Sequence, residues 1–302
     1  MGQNKKISKN KPKKSPARLK GGNKLTPSLI LLGFVSLVLL WYYIDIYRDI
    51  VRGNLLQVHF IDVGQGDATL ILTGGRAMLI DGGDRNMGER VIAYIEDLGV
   101  RRLDYVIATH PHSDHIGGLI SVLPQFEIGT LIMPQVAHTT RAFEDFLDAI
   151  ERNNITVNAP VVGNTLEMGN AIFTIIAPNS RTYSNMNDYS IALRLDFGTN
   201  SFIFTGDAES TSEAEMVSGR YNLFADVLHV GHHGSSTSTT EEFLWAVSPT
   251  IAVISVGANN PFGHPHASVL ARLADAGIQI YRTDVHGHIV ILSDGEEVWL
   301  SR

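Results

Sequence analysis

The chain has 302 residues, 44% of them hydrophobic and 18% charged, with 28 Gly and no Cys. This composition excludes a disordered chain, disulfide staples, thiolate metal sites and a cysteine nucleophile, leaving any metal to His, Asp or Glu. The net charge of −7 hides a split: residues 1–24 hold every lysine and, with Arg18, nine positive charges and no acid, whereas residues 25–302 set 15 arginines against 31 acids and carry −16.

Residues 1–24 are rich in Lys, Asn, Gly and Pro and have nothing to bury, which predicts a disordered basic tail. The charge-free run LTPSLILLGFVSLVLLWYYI follows from Leu25 to Ile44. As a helix it would span roughly 30 Å, about one hydrocarbon core. Trp41, Tyr42 and Tyr43 sit at its far end, where interfacial aromatics belong. The bulky WYYIDIYRD beyond offers no small-x-small cleavage site, so the run reads as a retained transmembrane anchor over residues 25–46. Basic charge before the span places the N-terminus in the cytoplasm and the rest outside the cell membrane.

Residues 55–302 are expected to form one domain. Short β-branched runs bounded by Gly and Asp predict strands at Leu56–Asp62, Thr69–Leu72, Ala77–Ile80, Tyr105–Ala108, Thr130–Met133, Ala171–Ile176 and Ser190–Asp196. Further strands are expected at Ser201–Phe204, Val227–His229, Ile251–Ser255, Gln279–Tyr281, Ile289–Leu292 and Glu297–Leu300. Helical patterns fall at Gly88–Leu98, Ile116–Leu123, Arg141–Arg152, Ser210–Ser218, Thr239–Val247 and Ser268–Ala276. Thr239 or Thr240, ahead of Glu241 and Glu242, reads as an N-cap. Strand often follows strand, which suits an α/β (α+β) arrangement of two sheets with helices outside rather than a doubly wound parallel sheet.

All 12 histidines lie between His59 and His288. The densest cluster, Thr109-His110-Pro111-His112-Ser113-Asp114-His115-Ile116-Gly117-Gly118, follows a predicted strand and ends in a Gly-Gly turn. Imidazole nitrogen and carboxylate oxygen are ligands for zinc and manganese. Four such groups in six residues point to a metal site rather than a solvated loop.

This H-x-H-x-D-H pattern resembles the signature of the metallo-β-lactamase superfamily, a four-layer αββα sandwich that binds one or two metals at its sheet edges. More closely, DVGQGDA (Asp62–Ala68), LIDGG (Leu79–Gly83), THPHSDHIGG (Thr109–Gly118), TGDAE (Thr205–Glu209), VGHHGS (Val230–Ser235) and GHPH (Gly263–His266) resemble the extracytoplasmic hydrolase domain of ComEC-type DNA-uptake proteins. The resemblance implies that His110 and His112 bind one metal, Asp114 and His115 the other, and Asp207 bridges them. It implies that one of His232 and His233 completes the second site. The cofactor is then one or two ions of zinc or manganese.

Superfamily members commonly place a later His on the first metal. Between His115 and His229 this chain has only His138, read as an exposed or capping residue, and Asn187-Asp188-Tyr189-Ser190 stands where that ligand is expected. His264 and His266 flank Pro265 and suit contact with phosphoryl oxygens or protonation of a leaving group; with Asp114 they form the expected catalytic set. Asp81 is expected to orient a ligating His, while Asp67 reads either as a turn residue or as facing the site. His59 reads as structural, and His286 and His288 as turn residues.

The expected activity is a membrane-anchored, metal-dependent phosphodiesterase, with DNA among its substrates. Alternatives are hydrolysis of envelope phosphoesters such as phosphorylcholine or wall-polymer diesters, hydrolysis of a lactone or lactam, or a non-catalytic metal-binding role in an uptake complex.

Overall fold

In the computed structural model, residues 33–41 and 55–301 are described, and the burial pattern of each strand decides its place. Along the chain the strands are β1 (Leu56–Phe60), β2 (Thr69–Thr73), β3 (Arg76–Ile80), β4 (Arg102–Ile107), β5 (Glu127–Ile132), β6 (Val157–Asn158), β7 (Thr165–Met168) and β8 (Ala171–Ala177). There follow β9 (Ala192–Phe197), β10 (Asn200–Phe204), β11 (Val227–His229), β12 (Ile251–Ile254), β13 (Gln279–Arg282), β14 (Ile289–Ser293) and β15 (Val298–Leu300).

They form two mixed sheets among the described residues, ordered β15-β14-β1-β2-β3-β4-β5-β6 and β13-β12-β11-β10-β9-β8-β7. Each begins as an antiparallel meander, β1–β2–β3 or β7–β8–β9–β10, and continues as parallel neighbours, β3 to β6 or β10 to β13. Parallel strands share a direction, so the loops leaving their C-terminal ends collect at one end of each sheet.

Three apolar layers show how the sandwich closes. Val58, Phe60, Met78, Phe173, Leu193, Phe202 and Phe204 fill the space between the sheets. Leu70, Leu79 and Val106 face outward from the first sheet onto Val91, Ile95 and Phe146 of its helices. Ile203, Leu228 and Ala252 of the second sheet meet Met216, Phe243, Leu244 and Val269. This is the expected four-layer αββα sandwich. The helix Arg141–Arg152 illustrates the local logic: Phe143, Phe146, Ala149 and Ile150 recur at 3.6-residue spacing and are buried. The Thr140 hydroxyl caps it by accepting the Phe143 N–H. Thr240, rather than Thr239, caps the helix Glu241–Val247, because Thr239 has φ +53° and its N–H goes to Glu213.

Two expectations are corrected here. The helix expected over Ile116–Leu123 is two short turns, Ser113–Ile116 and Leu119–Val122, interrupted at Gly117-Gly118. Two short strands, β6 and β7, appear where none was expected, both largely exposed.

Residues 33–41 are helical and form a unit separate from the sandwich. The rest of the expected anchor over 25–46 lies outside the described residues, as does the expected tail 1–24. Among the described residues no helix is long and apolar enough to cross a membrane.

At Gly117-Gly118 the helical ladder is interrupted by hydrogen bonds to a neighbouring loop. Gly82 donates its N–H to the His115 carbonyl (2.8 Å) and Gly118 donates to Gly83 (2.8 Å), zipping the loop after β3 against the turn after β4. A Cβ on Gly118 would sit 1.9 Å from the Gly82 carbonyl oxygen. We therefore expect Gly118→Ala to destabilise the protein by about 1–3 kcal/mol or more through overpacking, read as a lower urea midpoint with metal affinity falling in parallel.

Candidate metal centre

The two zipped loops bring five ionisable side chains together. Asp81 follows β3 at φ +58°, and its carboxylate is fully buried. It accepts the Thr109 N–H (2.8 Å), the Thr109 hydroxyl (2.7 Å) and His115 Nδ1–H (2.8 Å). Thr109, having donated its hydroxyl to Asp81, accepts at 3.1 Å from His110 Nδ1, with Ser190 Oγ a further contact at 3.3 Å. Both His110 and His115 are thereby held by Nδ1 with Nε2 left for another partner. His112 stands at the start of the turn Ser113–Ile116, its Nδ1 3.0 Å from His110 Nε2.

The second sheet supplies the facing groups. After β10, Gly206 turns at φ +51° and Asp207 enters the seam, its N–H donated to Ser190 Oγ (3.1 Å). After the adjacent parallel β11, both His232 (φ 49°) and His233 (φ 54°) adopt left-handed backbone, a strained state for a side-chain-bearing residue. Successive side chains then diverge. His233 donates from Nδ1 to the Ser255 carbonyl (3.0 Å) and turns Nε2 to Asp114 Oδ2 (3.3 Å) and Asp207 Oδ1 (3.7 Å). His232 instead meets Glu209 (3.1 Å) and the Asn187 amide, 3.8 Å from Asp207 Oδ2.

Three overlapping donor groups result among the described residues, His110–His112–Asp207, Asp114–His115–His233 and Asp67–His115–Asp207, and Asp207 links the first to the others. Its Oδ2 is 3.6 Å from His110 and its Oδ1 3.3 Å from His115. His115 Nε2, His233 Nε2 and Asp207 Oδ1 are buried and have no hydrogen-bond partner among the described residues. Buried polar atoms are normally satisfied. Imidazole nitrogens and a carboxylate oxygen that converge while buried and unsatisfied fit a divalent cation, so the donor set suits the metals expected for it.

Electrostatics agree. Burial drives the Asp207 pKa up, yet His115, His233 and His110 together hold it well below the carboxylate range. Burial opposes charge on His115 and His233, but Asp207 with Asp114 and Asp81, or with Asp67, raises both well above 6.5. His110 is buried beside His115 and stays neutral. Without metal the two raised histidines carry protons, so cation uptake must displace them.

The structure places the other residues as follows. Asp67 faces the site: its Oδ1 is 3.3 Å from His233 Nδ1 and 3.8 Å from His229. Its turn is pressed to the site, since a Cβ on Gly66 would lie 2.3 Å from the Asp114 carbonyl oxygen. His138 bonds the capping Thr140 (2.9 Å) and belongs to no donor group, while Asn187 and Ser190 contact site residues rather than adding a third nitrogen to the first group. His264 lies beside the centre, rings 5.4 Å from His232 and 6.3 Å from His233. Its Nδ1 is buried without a partner, and burial with the neighbouring histidines lowers its pKa to about 4, so it is neutral at pH 7. His266 accepts the Ser236 N–H at Nδ1 (2.8 Å), tying its loop to the one that carries His233. His59, His286 and His288 bond Tyr94, Arg282 and Asp62 away from the centre. Thr109, Ser190 and Glu209 lie within the sequence motifs but carried no expected role of their own there, and Ser255, at the end of an expected strand, carried none either.

A fold of two such sheets with this donor set defines a class, and comparison agrees. Residues 61–258 match the metallo-beta-lactamase superfamily model, and the chain belongs to that family. It is 33% identical over 251 residues to ComE operon protein 3 of Bacillus subtilis, covering 77% of this chain and 32% of that protein. It is 32% identical over 265 residues to competence protein ComA of Neisseria gonorrhoeae, covering 86% of this chain and 34% of that one. The resemblance to competence proteins is therefore met, and the chain spans about a third of the length of these relatives. The metallo-beta-lactamase fold protein YhfI of Bacillus subtilis superposes with a TM-score of 0.53 at 13% identity, covering 82% of this chain and all of that one, a likeness of fold.

Asp81 belongs to no donor group and acts on the site through His115 directly and through Thr109 on His110. We expect Asp81→Asn to weaken metal affinity about 10–100-fold in a competitive chelator titration, with His138→Ala unchanged. Loss of metal from His138→Ala as complete as from His110→Ala/His112→Ala would make His138 a ligand.

Proposed function

We propose that the chain is a metal-dependent phosphodiesterase that hydrolyses nucleic acid at the cell surface. The observation that supports this most is the shared carboxylate: Asp207 offers Oδ2 to the His110 side and Oδ1 to the His115 and His233 side. Two cations so held suit a displacement in which attacking and leaving oxygens both need charge stabilised. Zinc or manganese bound there supplies Lewis acidity and activates water.

The chain's own groups supply the rest. His110 and His112 would hold one ion, Asp114, His115 and His233 the other. Asp81, Thr109, Ser190 and Ser255 fix the imidazoles, so the donors need not reorganise. Neutral His264, beside His232 and His233, would hold a phosphoryl oxygen by hydrogen bonding from its ring N–H. The names of the relatives, competence proteins, favour DNA as the polymer.

The test is a panel of DNA, small phosphodiesters, phosphorylcholine and a β-lactam, with zinc and manganese supplied separately. We expect diester hydrolysis abolished by chelation and DNA binding that weakens as salt rises. Efficient opening of the lactam, or cleavage of phosphorylcholine alone, would overturn the reading.

The charge-free run over Leu25–Ile44 and the nine positive charges before it support an anchor with residues 1–24 inside and the sandwich outside. Protease added to intact cells should then digest the sandwich and spare the tail. Protection of the sandwich while the membrane is intact would reverse the assignment.

A further inference from the structure

Phe262 is 61% exposed in the loop that carries His264 and His266. A single exposed ring is ordinary, but this one is held in place. Asn260 braces the loop from within: its Oδ1 accepts the N–H groups of Phe262 (3.1 Å) and His264 (3.0 Å). Its Nδ2 donates to the carbonyls of Gly257 (2.9 Å) and His264 (2.6 Å). Gly263, at φ +73°, makes the turn between the two rings. The Phe262 ring consequently stacks on the His264 imidazole, centroids 5.7 Å apart and planes at 26°. His264 in turn lies 5.4 Å from His232 and 6.3 Å from His233. A pair of stacked rings thus runs from solvent to the edge of the metal centre.

Charge gives this arrangement a purpose. Residues 25–302 carry −16, so a polyanion gains little from long-range attraction. Affinity for nucleic acid must then come from short-range contact, and stacking suits because every base offers a π-face. Bases within a duplex are already stacked on both faces, whereas a single strand can splay one outward. We propose that the Phe262–His264 ring pair is a nucleobase subsite that stacks the base adjoining the scissile diester of a single strand. This rests on the diesterase reading above and adds to it the strandedness and the contact that supplies affinity.

The purified full chain, loaded with zinc or manganese, is compared on a thymidine hexanucleotide and on a hexamer of the same backbone bearing tetrahydrofuran in place of each nucleoside sugar and base. Phe262→Ala is expected to raise KM for the thymidine hexamer about tenfold with kcat changed by less than about twofold, as loss of one stacked base would do. KM for the base-free hexamer should not move, and Phe262→Trp should keep the wild-type KM. Fluorescence anisotropy with a phosphorothioate-linked thymidine hexamer reads the same loss of binding without turnover. Phe224→Ala removes an exposed ring before the opposite end of β11 and should change neither measurement. An equal effect of Phe262→Ala on both hexamers, or none on either, overturns the subsite and leaves the diesterase reading standing. Failure of the wild type to cleave either hexamer overturns both.

Discussion

A carboxylate that is 2% exposed at the seam of two sheets imposes the main constraint on this molecule. Burying a charge without compensation costs several kcal/mol, so Asp207 must be met on every side. His110 and His115 approach from the first sheet, His232 and His233 from the second. The strand order makes that meeting possible: β10 and β11 are parallel neighbours, as are β3 and β4, and their C-terminal ends open onto one seam. A site built across two sheets also couples their packing to metal binding. A cation that binds only the assembled seam stabilises the whole sandwich.

On the proposed diesterase reading, the same seam would let a strongly acidic body handle a phosphate ester. Its net charge repels polyanions at long range, yet the cluster would concentrate imidazole and, with metal bound, divalent charge at one point. Such a protein trades capture rate for local discrimination. Contacts that do not depend on charge, the rings beside His264 among them, become correspondingly important.

Much of this was legible in the sequence, and the reasons differ element by element. Core strands read clearly for different reasons: β12 is wholly apolar and buried, β10 is buried throughout and ends in Phe-Ile-Phe, and β8 is apolar except for Thr174. The edge strands β6 and β7 carry little such signal, being largely exposed, and pairing alone defines them. The His110–His115 ligands are contiguous and so visible together. The partners that orient them are not: Asp81 lies 34 residues from His115, and Ser190 lies 80 from His110. The choice between His232 and His233 depended on left-handed backbone at both, which side-chain identity does not encode. The split at Gly117-Gly118 was hidden for a related reason, since the Gly118 N–H goes to the Gly83 carbonyl and the His115 carbonyl accepts from Gly82, both in a different loop.

The first sheet places β1 beside β14, and β14 beside β15. Leu56 pairs with Ser293, and the last strand ends one ladder further out. Entry to and exit from the sandwich are therefore about 10 Å apart across the ladder, two strand spacings. A module with neighbouring ends can be spliced into a larger polypeptide without prising its sheets apart. That geometry suits a cassette that can be carried within a chain about three times as long, as the lengths of its relatives illustrate.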